Sequence, residues 1–202
     1  MEYTIYKLEK YIKREIRMVK SVCKKIMNSI ATDDNYSEDE LEQMGYTLVT
    51  ISFELIKMIS LIIIFSLFGY FNEAIIITGI MCVVKPFIGG YHEETQIKCF
   101  IATVLLTAGI LTLSLQCNLS FISNCILIFL SIFCIWNQAP VINSKMPITR
   151  HDLIIKNRIR GLRNTIILGL ISIVLYNYSS YYSLITWTIL FEAALMFNKR
   201  KD

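Results

Sequence analysis

Charge is scarce in this chain. Asp, Glu, Lys and Arg make up 18% of its 202 residues, where soluble domains run near ~25%. No charged residue occurs from Cys99 to Ser144, and none from Asn164 to Phe191. No soluble domain of this length has a core deep enough to bury such runs. Hydrophobic residues account for 54% of the chain, so most of the apolar surface must face lipid. A soluble globular enzyme, a disordered chain and a nucleic-acid-binding module are thereby excluded. A multispanning membrane protein is left, since each span needs ~20 predominantly apolar residues.

Other absences narrow the chemistry. The cysteines Cys23, Cys82, Cys99, Cys117, Cys125 and Cys134 form no CxxC pair and no metal-ligand spacing. Most lie in apolar runs, where Cys behaves as a small hydrophobe, and no disulfide framework is expected. No second His follows His92-Glu93 at helical spacing, so this is not a zinc motif. Neither a metal nor another cofactor is expected. Residues 1–30 carry charges throughout and lack the apolar stretch of a signal peptide. No internal repeat is evident.

What is present divides the chain at about residue 45. Within residues 1–45, Leu8, Ile12, Ile16, Val19, Val22, Cys23, Ile26 and Ile30 recur at helical spacing. Between them stand Lys7, Lys10, Lys13, Arg14, Arg17, Lys20, Lys24 and Lys25. A basic face beside an apolar stripe suits an interfacial helix on an anionic bilayer. An acidic connector, residues 33–42, follows, with a helix start at Ser37 and Glu40 three residues on. Residues 46–202 then read as an all-α membrane domain of six spans: 46–70, 74–88, 97–116, 119–137, 164–180 and 183–198.

Basic residues orient these spans. Of the 20 Lys and Arg residues, only Lys57 lies deep in a span, away from its ends. The rest fall before span one, around the turn between spans two and three (Lys85, Lys98), between spans four and five (Lys145 to Arg163), or after span six (Lys199, Arg200, Lys201). With six spans all of these share one side, which places both termini and the 138–163 loop in the cytoplasm. Glu54 and Lys57 stand three apart in span one and are expected to neutralise each other. Glu192 in span six lies near the interface or faces the bundle interior.

The reactive residues converge on 85–99, Lys-Pro-Phe-Ile-Gly-Gly-Tyr-His-Glu-Glu-Thr-Gln-Ile-Lys-Cys, at the cytoplasmic mouth of spans two and three. A thiol becomes a strong nucleophile when a neighbouring base takes its proton, and His92 and Cys99 could form that pair. On spacing alone, packing for the Cys and a polar cap for the His stay open. Seven residues of straight helix span ~10.5 Å, whereas proton exchange needs roughly ~3–4 Å. A working pair therefore requires a break. Gly89-Gly90 can supply it, with Thr95 as N-cap of a helix beginning near Gln96. Cys99 would then lie in that helix's first turn. His151, Glu93 and Glu94 read as solvated residues.

This segment resembles the signature of the AgrB family, membrane endopeptidases of the accessory gene regulator system. Gly90, His92 and Cys99 stand at the family's spacing. Lys85 occupies a position where Arg is usual. Ala139-Pro140-Val141-Ile142-Asn143-Ser144-Lys145-Met146-Pro147 is similar to a second family segment, with Ile142 where an acidic residue is common. The resemblance implies a cell-membrane cysteine endopeptidase that cuts an AgrD-type propeptide. Cys99 would be the nucleophile and His92 the base, with Lys85 and Gly90 supporting the site. It further implies a homodimer, a thioester on Cys99, and cyclisation by the substrate's own Cys or Ser. Lys98, Lys145 and Arg150 are candidates to receive the substrate's acidic tail. A small six-span transporter or peptide-export subunit, suggested by the charges within the spans, is the competing reading.

Overall fold

The computed structural model describes residues 21–23, 25–26, 38–90, 95–141 and 151–197. The residues described before position 27 are helical. Six long helices follow: α1 Glu38–Leu67, α2 Phe71–Ile88, α3 Gln96–Gln116, α4 Phe121–Gln138, α5 His151–Leu175 and α6 Tyr181–Ala194. Among the described residues the sole β-pairing is one isolated parallel bridge, between Gly89 and Val141.

Residues 1–60 and 61–202 form separate compact units. In the first, the half-buried Ser52 hydroxyl lies 3.6 Å from the Cys23 thiol, and Lys57 forms an ion pair with Glu54. Partial burial of both groups makes this mutual neutralisation physically sensible.

In the second unit α6 is central, packing against α2, α3, α4 and α5. Ser183, Leu184, Ile185, Thr186, Thr188, Ile189, Glu192 and Ala193 are all buried, as expected of a helix enclosed by others. The outer faces carry Ile122, Ile126, Phe129 and Phe133 on α4 and Ile167, Leu170 and Val174 on α5, all exposed. Polar groups instead lie inside. Asn124 Nδ2 donates to Ser172 Oγ, Thr186 Oγ1 donates to Asn124 Oδ1, and Ser172 Oγ donates to the Tyr182 carbonyl. Gly161, Thr165, Gly169 and Ser172 form the buried stripe of α5. Small residues at such spacing let helices approach closely where no water drives them together. An apolar exterior, with polar and small residues kept among the buried aliphatic clusters, is the arrangement of a bundle solvated by lipid.

Among the described residues four helices are long and apolar enough to cross a membrane: Gln43–Leu67, Phe71–Ile88, Gln96–Gln116 and Phe121–Gln138. They correspond to the first four expected spans. α5 and α6 do not fit the same pattern. α5 carries Arg158, Arg160 and Arg163 in its first half. The 14 residues of α6 rise only ~21 Å. The expected loop over 138–163 is also corrected in part, since residues 151–163 are helical. The reason is docking. Arg158 donates to the Trp136 carbonyl at 2.6 Å and lies 5.7 Å from that ring's centroid, while Gly161 lies against Ile88 and Phe87.

Candidate active site

The site is built around the chain's exit from α2. Pro86 lies in the last turn of this helix and offers no amide hydrogen to prolong the ladder. Gly89 donates to the Lys85 carbonyl at 3.0 Å and takes φ +70°, after which Gly90 takes φ +145°. Val141 then donates to the Ile88 carbonyl at 2.8 Å. The approach is close: a Cβ on Gly89 would stand 2.2 Å from the Val141 carbonyl oxygen. At Gly90 the nearest atom to such a Cβ is the Leu195 carbonyl oxygen, 3.9 Å away. The ends of α2, α4 and α6 thus meet at this turn.

On the far side, Thr95 is the N-cap of α3, with extended backbone and its hydroxyl accepting from the Lys98 amide. That bond is 3.3 Å long. The Cys99 amide donates to the Thr95 carbonyl at 3.0 Å. Thr103 Oγ1 donates to the Cys99 carbonyl at 2.8 Å. Cys99 is therefore fixed in the first turn of a capped helix, half-buried, beside an exposed Lys98. Lys85 is half-buried in the last turn of α2, and His151 is exposed at the start of α5. His92, Glu93, Glu94, Lys145 and Arg150 lie outside the described residues. Among the described residues no group of His, Cys, Asp and Glu could hold a metal ion.

The structure thus displays the Gly-Gly break and the Thr95 cap that a working His92–Cys99 pair would need. It also adds the close approach of Val141 to Gly89 and of Leu195 to Gly90, contacts that sequence reasoning did not foresee. Leu195 carries no local signal, because its importance is a backbone approach across the fold.

A family model described as Accessory gene regulator B matches residues 23–196. The chain belongs to the AgrB family. A protein of Clostridium perfringens (strain 13 / Type A), described as AgrB-like, is 44% identical over 178 residues, covering 88% of this chain and 95% of that protein. No solved structure matches. AgrB membership and the four long apolar helices identify a membrane protein of the agr quorum-sensing system, in a family associated with processing of AgrD propeptides.

Proposed function

We propose that this AgrB-family protein is an integral-membrane cysteine endopeptidase that removes the C-terminal tail of an AgrD-type propeptide. The observation that carries this reading is the position of Cys99. In a chain matched to the family over residues 23–196, it lies in the first turn of α3, just after the glycine break. In the reaction, His92 takes the Cys99 proton, and the sulfur attacks the carbonyl before the tail. His92 returns the proton to the leaving amine, and the peptide remains as a thioester on Cys99. The substrate's own Cys or Ser then attacks this carbonyl and closes a thiolactone or lactone, restoring the Cys99 thiol. Exchange of one thioester for another is nearly energy-neutral, so cyclisation competes when water is kept out. Lys85 and Gly90 support the site, and Lys98, Lys145 and Arg150 receive the acidic tail.

In this reading residues 1–45 lie along the cytoplasmic face of the cell membrane and residues 46–202 form the six-span peptidase domain. Both termini are cytoplasmic, and the protein acts as a homodimer. α5 and α6 complete the six spans because α6 is lined by neighbouring helices and needs little lipid-facing surface of its own.

Co-expression with an AgrD-type propeptide, followed by mass spectrometry, tests the chemistry. Cys99→Ala should abolish tail release while membrane insertion continues. Cys23, Cys82, Cys117, Cys125 and Cys134 changed singly to Ala should keep substantial activity. Tail release by Cys99→Ala would remove Cys99 from the mechanism. For the topology, cysteines placed in 138–163 of a Cys-reduced variant should label only after the membrane is permeabilised. Labelling from outside intact cells contradicts the six-span arrangement.

A further inference from the structure

Lys156, Arg160, Arg163, Ile167, Leu170 and Val174 of α5 stand three or four apart and so form one stripe along the helix. All of them are exposed. They lie opposite the buried Gly161, Thr165, Gly169 and Ser172 that pack into the bundle, so the stripe faces outward. Its character changes abruptly along the helix: the first three members are cations and the last three are aliphatic. Ile159, one turn from both Lys156 and Arg163, is 60% exposed, a position that water penalises and acyl chains do not.

The cations have no acid to meet. Among the described residues no carboxylate pairs with Lys156, Arg160 or Arg163. Asp152 is the only acid of α5 and lies in its first turn, away from the aliphatic end. Arg158 differs, because it is turned toward α4 and held by Trp136. That Trp136 is itself 56% exposed, as suits an indole where hydrocarbon gives way to headgroups.

Length indicates what meets these cations. Beyond Arg163, α5 runs only to Leu175, a rise of ~18 Å. The hydrocarbon core of a bilayer is ~30 Å thick. A short apolar stretch is accommodated by local thinning and by long side chains that extend toward the surface, which draws phosphates down to the Arg163 guanidinium. From Lys156 to Arg163 the stripe rises ~10.5 Å, enough to cross one headgroup layer of ~5–8 Å.

We propose that the outward face of α5 binds anionic phospholipid. Arg160 and Arg163 hold the headgroup phosphate, Lys156 forms the outer rim, and the acyl chains lie along Ile167, Leu170 and Val174. A guanidinium presents a planar fork that fits phosphate oxygens. A zwitterionic lipid offers the same phosphate but adds an ammonium, which the neighbouring cations repel, so the site selects for net negative charge. This rests on the reading that α5 spans the membrane.

The test uses the full-length protein in detergent, with thermal unfolding as the readout. Phosphatidylglycerol should raise the melting temperature by about 4 °C at saturation, and phosphatidylcholine should not. Arg160→Gln combined with Arg163→Gln should lose that shift. Arg160→Lys combined with Arg163→Lys, which keeps the charge, should retain part of it. An equal shift from phosphatidylcholine, or a full shift in the double glutamine variant, would overturn the proposal. An equal shift from inorganic phosphate would also overturn it, since that probe has no acyl chains. A shift with a soluble acidic peptide that phosphatidylglycerol fails to match would assign the face to a peptide instead. The span is checked separately. A bimane on Leu170→Cys, in a Cys-reduced variant in phosphatidylglycerol and phosphatidylcholine vesicles, should be quenched by lipid carrying a nitroxide on its acyl chain. Without quenching, the reading of α5 as a span falls and the proposal with it. With quenching but no selectivity for phosphatidylglycerol, only the lipid site falls.

Discussion

At the residue scale, the turn after α2 has little room for change. Gly89→Ala would place a methyl 2.2 Å from the Val141 carbonyl oxygen at a φ of +70°. The left-handed backbone alone costs an L-residue roughly 1–2 kcal/mol, and the clash adds to it. Tail release should be lost, and thermal unfolding in detergent should shift downward. Thr95→Ala removes the hydroxyl that accepts from the Lys98 amide and should cost about 1 kcal/mol. The expected result is faster amide exchange at Lys98 and Cys99 and weaker cleavage, with both restored by Thr95→Ser. Thr95 and the glycine break were legible in the sequence because caps and breaks are written in local residue types. The requirement at Gly89 was legible only in part. Its positive φ suits a glycine, but its contact comes from a residue 52 positions later. Burial of Glu192 was harder still to read, since an acid near the end of an apolar run equally suits an interface.

At the scale of elements, the helices are joined by close packing of aliphatic clusters together with specific polar and small-residue contacts, since lipid offers hydrophobicity equally well on every side. Asn124, Ser172 and Thr186 link α4, α5 and α6, and all three are fully buried. Asn124→Leu removes the donor to Ser172 Oγ and the acceptor of Thr186 Oγ1, leaving these hydroxyls to each other, 2.8 Å apart, and to the Tyr182 carbonyl. Each buried hydrogen bond lost costs about 0.5–1.5 kcal/mol. The variant should melt earlier in detergent, while the fraction still folded cleaves with unchanged KM, because this network is remote from the Gly90 turn. The start of α5 shows why one boundary was misread. Its first half has a helical repeat, but Lys156, Arg158, Arg160 and Arg163 within it carry the signature of a cytoplasmic loop. The guanidinium of Arg158 turns that signature into a docking contact by donating to the exposed end of α4.

At the scale of the whole molecule, long uncharged runs made the membrane class and the first four helices plain from sequence. Which ends gather, and which helix sits in the middle, depends on contacts between distant segments. α6 illustrates this. Its sequence is merely apolar, while its burial by four neighbours follows from topology. The placement of basic residues leads to a prediction about the propeptide tail. Screening at physiological salt confines attraction to about 8 Å, so, if His92 and Cys99 act as proposed, the basic residues nearest to them should matter most. Lys85→Glu or Lys98→Glu should therefore impair cleavage more than Lys156→Glu, which sits exposed on α5. An acidic-to-basic exchange in the propeptide tail should partly restore the first two. Equal losses at all three positions without such rescue would assign these residues to topology alone.

The contact between the Gly90 turn and Leu195 also bears on biosynthesis. A nascent chain that has inserted α2 and α3 already carries Cys99, but neither Val141 nor Leu195 has yet left the ribosome to back the turn. At about 5–20 residues per second, translating the remaining helices takes seconds. Throughout that interval the Cys99 thiol exists without this backing. If Cys99 acts as proposed, a product truncated before Leu195 should leave an AgrD-type propeptide uncut, which co-expression and mass spectrometry would show.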